Sequence, residues 1–153
     1  MGQNIGTRQP YYGRNVCIKM KIPIIDISFN LNKQSGVPNI IQVINAADKY
    51  GLEAEKGGFR FRAGGPDMPP RIHLTLHAPD SKVASAAAKE IGPMAQVRFY
   101  YDEDFDPYGR HRKYHIPLTI PLDQAAKMLG SAIKWVYAPD YDGSAPPGFR
   151  RLY

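Results

Sequence analysis

Apolar and polar side chains alternate most clearly between residues 71 and 77. There Ile72, Leu74 and Leu76 fall on one side of an extended chain, and Arg71, His73, Thr75 and His77 fall on the other. The same period of two runs through residues 24–31, where Ile25, Ile27, Phe29 and Leu31 oppose Asp26, Ser28 and Asn30. It recurs in Phe59-Arg60-Phe61-Arg62 and over residues 95–101, where Val97, Phe99 and Tyr101 oppose Arg98 and Tyr100. A helical period replaces it in three places. Ile40, Ile41, Ile44 and Ala47 follow a Ser35-Gly36-Val37-Pro38 entry and stop at Gly51; Val83, Ala84, Ala87 and Ile91 follow Pro79-Asp80 and stop at Gly92-Pro93. Ala125, Leu129, Ala132, Ile133 and Val136, with Trp135 extending the stripe, follow Asp123.

Strands over residues 52–63 and 113–120 complete the set, the second placed at an edge or strand end by Pro117 and Pro121. The breaker-rich loop Gly64-Gly65-Pro66-Asp67-Met68-Pro69-Pro70 is long enough to cover a site. The order strand, helix, strand, strand, helix, strand, strand, helix predicts an α+β domain: a ferredoxin-like split βαβ antiparallel sheet with an appended strand and helix. The domain is expected to span residues 22–137. Residues 1–21 and 138–153 mix Gly, Pro, Tyr and Arg without either period and read as extended arms.

Because every helix needs an apolar row to pack on, the polar rows must collect on the opposite face of the sheet. They comprise Asp26, Ser28 and Asn30; Arg60 and Arg62; Arg71, His73, Thr75 and His77; Arg98 and Tyr100; and His111, Lys113, His115 and Thr119. That face is expected to be basic, and all four histidines share one groove if their strands are neighbours. A length of 153 residues, 43% hydrophobic and 22% charged, fits one globular domain. No apolar run approaches the roughly 20 residues that span a bilayer, and the N-terminal stretch lacks the apolar segment of a secretory signal. The expectation is a soluble, cytoplasmic protein with no membrane partner. Cys17 is the lone cysteine, so an intramolecular disulfide and a cysteine zinc site are both excluded, and a reducing compartment is permitted. The net charge of +6 favours polyanionic partners, since Lys and Arg gain free energy by displacing counterions from phosphates.

An imidazole pair beside arginines has what phosphodiester cleavage without a metal requires. A neutral ring removes a proton, a protonated ring supplies one to the leaving oxygen, and cations stabilise the developing negative charge. His73 and His115 are the candidates for acid and base. Arg60, Arg62, Arg71, His77, Arg98, Tyr100, His111 and Lys113 are candidates for binding. No metal or cofactor is expected, because histidines four apart on a strand are separated by roughly 13 Å at about 3.3 Å per residue. The acidic turn with Asp102, Asp104 and Asp106 also lacks the full spacing of a calcium loop.

The stretch Met68-Pro69-Pro70-Arg71-Ile72-His73-Leu74-Thr75-Leu76-His77 resembles the first signature of the two-histidine phosphoesterases, a His-x-Thr on a strand after a proline-bearing loop. Members of that family have a duplicated ferredoxin-like architecture and cleave 2′,3′-cyclic or oligonucleotide phosphodiesters without metal. The resemblance implies an acid/base role for His73 and a phosphate-oxygen donor role for Thr75. The family's second His-x-Thr or His-x-Ser has its nearest counterpart here in His115-Ile116-Pro117, where proline replaces the hydroxyl residue. A small basic ribonuclease of the toxin type fits the same residues. Two other readings stay open: a nucleic-acid-binding protein without turnover, using Tyr100 and the arm tyrosines to stack on bases, and a self-assembling structural protein, such as a virion component, whose arms grip neighbouring copies in a homo-oligomer.

Overall fold

A computed structural model of the chain describes residues 19–103 and 117–152. In chain order the elements are β1 (Lys19–Asn30), α1 (Gly36–Tyr50), β2 (Glu53–Glu55), β3 (Arg60–Arg62), β4 (Arg71–His77), α2 (Ser81–Ile91), β5 (Ala95–Glu103), β6 (Thr119–Ile120), α3 (Leu122–Val136) and β7 (Arg150–Leu152). The fold is α+β. Its sheet runs β5-β1-β4-β2-β6, with β3 joined to β4 and β7 joined to β3. The described residues fall into two compact units. The larger holds Pro23–Arg98 and Pro117–Tyr153; of the smaller, the described part is β1 as far as Ile22 and β5 from Phe99.

Register follows from the alternation. β1 and β4 run antiparallel with Ile25 opposite Leu76, Ile27 opposite Leu74 and Phe29 opposite Ile72, so the apolar rows merge into one face. All six of these residues are less than 5% exposed. Onto that face α1 sets Ile40, Val43, Ala46 and Ala47, α2 sets Ala84, Ala87 and Ile91, and α3 sets Ala125, Leu129, Ala132 and Val136. The alanines of α2 and α3 let these helices lie close to the sheet. Gly51 ends α1 in the left-handed conformation, with φ +66°, which a residue lacking Cβ adopts at little cost. Asp80 caps α2 by accepting a hydrogen bond from the Val83 N–H at 2.8 Å, as its position before the apolar stripe predicts.

Four details differ from the sequence expectation. The buried stripe of α1 is rotated: Val43 and Ala46 face the core, while Ile41 is 52% exposed. Trp135 is 41% exposed rather than part of the α3 stripe, and its indole N–H donates to the Ser144 carbonyl. Residues 52–63 form two strands rather than one. β2 pairs with β4 at His77 and Leu76, β3 pairs with β4 from His73 to Arg71, and the intervening Lys56-Gly57-Gly58 segment bulges out of the ladder. Finally, residues 138–152 return to the sheet, where Phe149 is buried against Phe59 with ring centroids 5.4 Å apart and β7 runs parallel to β3. Of the strand expected over residues 113–120, residues 117–120 are described, and of these only Thr119–Ile120 form a strand, β6; His111, Lys113 and His115 lie outside the described residues. No described helix is long and apolar enough to cross a membrane.

Candidate phosphate-binding cleft

On the sheet face away from the helices, a cleft of about 590 Å³ opens within the larger unit. Its floor is the polar row of β1 and β4, with Ser28 directly opposite His73 and Asp26 directly opposite Thr75. One wall is made by the approach to β5, where the Ser28 N–H donates to the Met94 carbonyl at 3.0 Å. Arg60, Arg71 and Arg98 reach in from β3, β4 and β5. The volume lies within the range of small-ligand sites.

Each guanidinium is held by neighbours that the strand registers supply. Arg71 donates from Nε to Ser28 Oγ at 2.6 Å and from Nη1 to Asn30 Oδ1 at 2.8 Å. Arg60 donates from Nε to the Gly58 carbonyl and from Nη2 to Thr75 Oγ1, both at 3.2 Å. Arg98 forms an ion pair from Nε to Asp26 Oδ2 at 2.8 Å. A guanidinium carries five N–H donors, so these contacts orient each group and leave further donors on it. Thr75 is only 3% exposed: its hydroxyl donates to Asp26 Oδ1 at 3.1 Å and accepts from Arg60. It orders Asp26 and Arg60 from beneath.

The bulge explains that burial. Gly58 sits over Thr75 and Glu55 so closely that a methyl group there would come within 3.2 Å of the Thr75 Cβ and 3.1 Å of the Glu55 Cβ. A side chain at that position would require its neighbours to give by a few tenths of an ångström, next to the carbonyl that holds Arg60.

His73 is half-buried and makes no hydrogen bond among the described residues. Its pKa lies below the ordinary imidazole value, because burial disfavours the charged ring and because Arg60, Arg71 and Arg62 repel a further positive charge; only Asp26 pulls the other way. At neutral pH the ring is therefore uncharged, with one nitrogen able to accept a proton and the other able to donate a hydrogen bond. The cleft combines fixed cations with an available base.

The remaining sequence candidates fall elsewhere. Arg62 pairs with Arg71 across the β3–β4 ladder and adds to the positive field. Tyr100 is half-buried on β5 and belongs to the smaller unit. His77 has its Nε2 2.8 Å from Glu55 Oε1, with both side chains only 11% exposed. Close by, the Thr119 hydroxyl donates to Glu53 at 3.0 Å. The polar face is thus not uniformly basic: Glu53 and Glu55 place an acidic end on it beside His77. Both glutamates alternate with Leu52 and Ala54, so the signal was present in the sequence. Gln96, which accepts from Arg98 Nη2 at 3.3 Å, had no such signal. Among the described residues no three His, Cys, Asp or Glu side chains are arranged to hold a metal ion. No protein-family model matches the chain, and no curated protein matches it.

Proposed function

We propose that the cleft binds a phosphodiester of RNA or a nucleotide and that His73 acts there as the general base of a metal-independent cleavage. One observation carries this reading: a half-buried imidazole without a hydrogen-bond partner among the described residues opens into the same cleft as three arginines already held by their neighbours. In the reaction, a His73 ring nitrogen takes the proton of a ribose 2′-hydroxyl. That oxygen forms a bond to phosphorus, and the bond from phosphorus to the 5′-oxygen breaks. The products are a 2′,3′-cyclic phosphate and a free 5′-hydroxyl, once the leaving oxygen has taken a proton. Arg60 and Arg71 meet the negative charge that builds on the non-bridging oxygens. Arginine is too weak an acid to supply the leaving-group proton; His115 is the candidate that the sequence offers for this step. The likeness of residues 68–77 to the two-histidine phosphoesterases points the same way, and the order β5-β1-β4-β2 supports a ferredoxin-like reading of the sheet.

Incubation with RNA in EDTA, followed by analysis for 2′,3′-cyclic phosphate ends, tests the proposal. The expected result is cleavage by the native protein and its loss in H73A; absent cleavage, or equal cleavage by H73A, overturns it. A second reading is favoured by a separate observation: His73 is the one imidazole that the described residues bring to the cleft. On that reading the site holds the phosphodiester without turnover, and association weakens steeply with salt while the RNA stays intact.

A further inference from the structure

The cationic row does not end at the cleft. β3 pairs with β4 so that Arg60 lies opposite His73, and β7 pairs with β3 so that Arg150 lies opposite Arg60. Residues opposite one another in neighbouring strands share a sheet face. Ser28, His73, Arg60 and Arg150 therefore form one line across β1, β4, β3 and β7. Arg62 stands beside it, opposite Arg71. With strands about 4.8 Å apart, Arg150 lies about 10 Å from His73 along this line, and it is exposed and outside the cleft lining. On the other side of His73, Arg98 reaches the cleft from β5, two strands away from β4.

We infer that the preferred ligand is a single-stranded oligonucleotide, laid across the strands with one phosphate in the cleft at His73 and a neighbouring phosphate on Arg150 and Arg62. The inference rests on the phosphodiester reading of the cleft and assigns Arg150 a binding role that lies beyond it. The shape of the surface argues for a single strand. His73 lies half-buried on the floor of a cleft of about 590 Å³, which a lone backbone enters and a duplex, rigid and wide, does not. The arginines make a line crossing the sheet, which matches a flexible polyanion tracking a groove. A free mononucleotide would fill the cleft and leave Arg150 without a phosphate to meet.

The test compares equilibrium binding of a fluorescent 2′-O-methyl RNA hexamer, which lacks the attacking hydroxyl, the same hexamer in a duplex, and a mononucleotide 3′-phosphate, each over a range of salt. For the native protein the hexamer is expected to bind most tightly. In R150A the advantage of hexamer over mononucleotide narrows about fivefold, and the salt slope for the hexamer falls by about one. R150K is expected to recover most of the loss, because the contact is a charge at a phosphate. Duplex bound as tightly as single strand, or an unchanged hexamer advantage in R150A, overturns the inference while leaving the cleft itself in place. Failure of the native protein to bind either hexamer or mononucleotide removes the cleft reading and this inference with it.

Discussion

His73 and His77 stand on the same face of one strand, and their surroundings are opposite. His73 has Ser28 beside it on β1 and Arg60 beside it on β3, with no hydrogen-bond partner among the described residues. His77 has Glu53 beside it on β2, and its Nε2 meets Glu55 in a pair that is almost closed to solvent. Nothing in Arg71–His77 distinguishes the two rings; the registers of β2 and β3 do. The bulge after β2 is what allows two different segments to lie along one edge of β4, an acidic one at His77 and a basic one at His73. A histidine's chemistry is thus decided by which strand arrives beside it.

The sharpest way to break the comparison is to remove each ring and measure RNA cleavage. H73A is expected to lower kcat/KM by about 10²–10⁴, the usual worth of a general base, whereas H77A costs less than about tenfold because its ring is engaged with Glu55. Equal losses would show that the two ends of β4 are not functionally distinct. Stability should reverse the order. H77A leaves the Glu55 carboxylate, only 11% exposed, without its imidazole, and urea unfolding is expected to show a loss of about 1–3 kcal/mol. H73A breaks no described hydrogen bond and should stay within about 1 kcal/mol of the native protein. A smaller effect is expected from Thr75→Val, which keeps the volume but takes one hydrogen bond each from Asp26 and Arg60. It should cost about 1 kcal/mol and lower the cleavage rate through a less firmly placed Arg60, with R60A and the double variant showing that the two losses do not add.

The same contrast governs how much of this molecule was legible in its sequence. β1 and β4 were, because a period of two sustained over seven or eight residues fixes both the strand and its buried face. So was the gathering of Arg60, Arg71, His73 and Arg98 on one side of the sheet. The stripe of α1 was not, because Ile40, Ile41, Val43 and Ile44 cover so much of the helix circumference that periodicity does not choose among them. The division of residues 52–63 was marked by Gly57-Gly58, yet the alternation on either side of those glycines reads as one strand. β7 carries no sequence signal because Arg150 and Arg151 are both exposed and their partner, β3, lies far away in the chain. The line from His73 through Arg60 to Arg150 is therefore a product of topology alone.

The finest effect separates the ends of β4 by proton affinity. Burial and the cations of Arg60, Arg71 and Arg62 hold the His73 pKa below its ordinary value, so NMR titration of its ring protons should find a midpoint under the usual imidazole range. R60A removes the largest of the charge contributions and should move that midpoint upward, carrying the acid limb of the cleavage profile with it, since the base works only when unprotonated. A midpoint unmoved in R60A would mean that the Arg60 charge does not contribute to it. The depressed value also has a consequence for stability. As pH falls through the ordinary imidazole value, the unfolded chain takes up a proton at residue 73 before the folded chain does, so this contribution to stability, complete above that value, is lost progressively down to the folded pKa. H73Q lacks the titrating group and should lose less stability than the native protein as pH falls below the ordinary imidazole value. If the two proteins fall in parallel, burial and the arginines together do not shift the His73 charge, and the two ends of β4 are set apart by hydrogen bonding rather than by field.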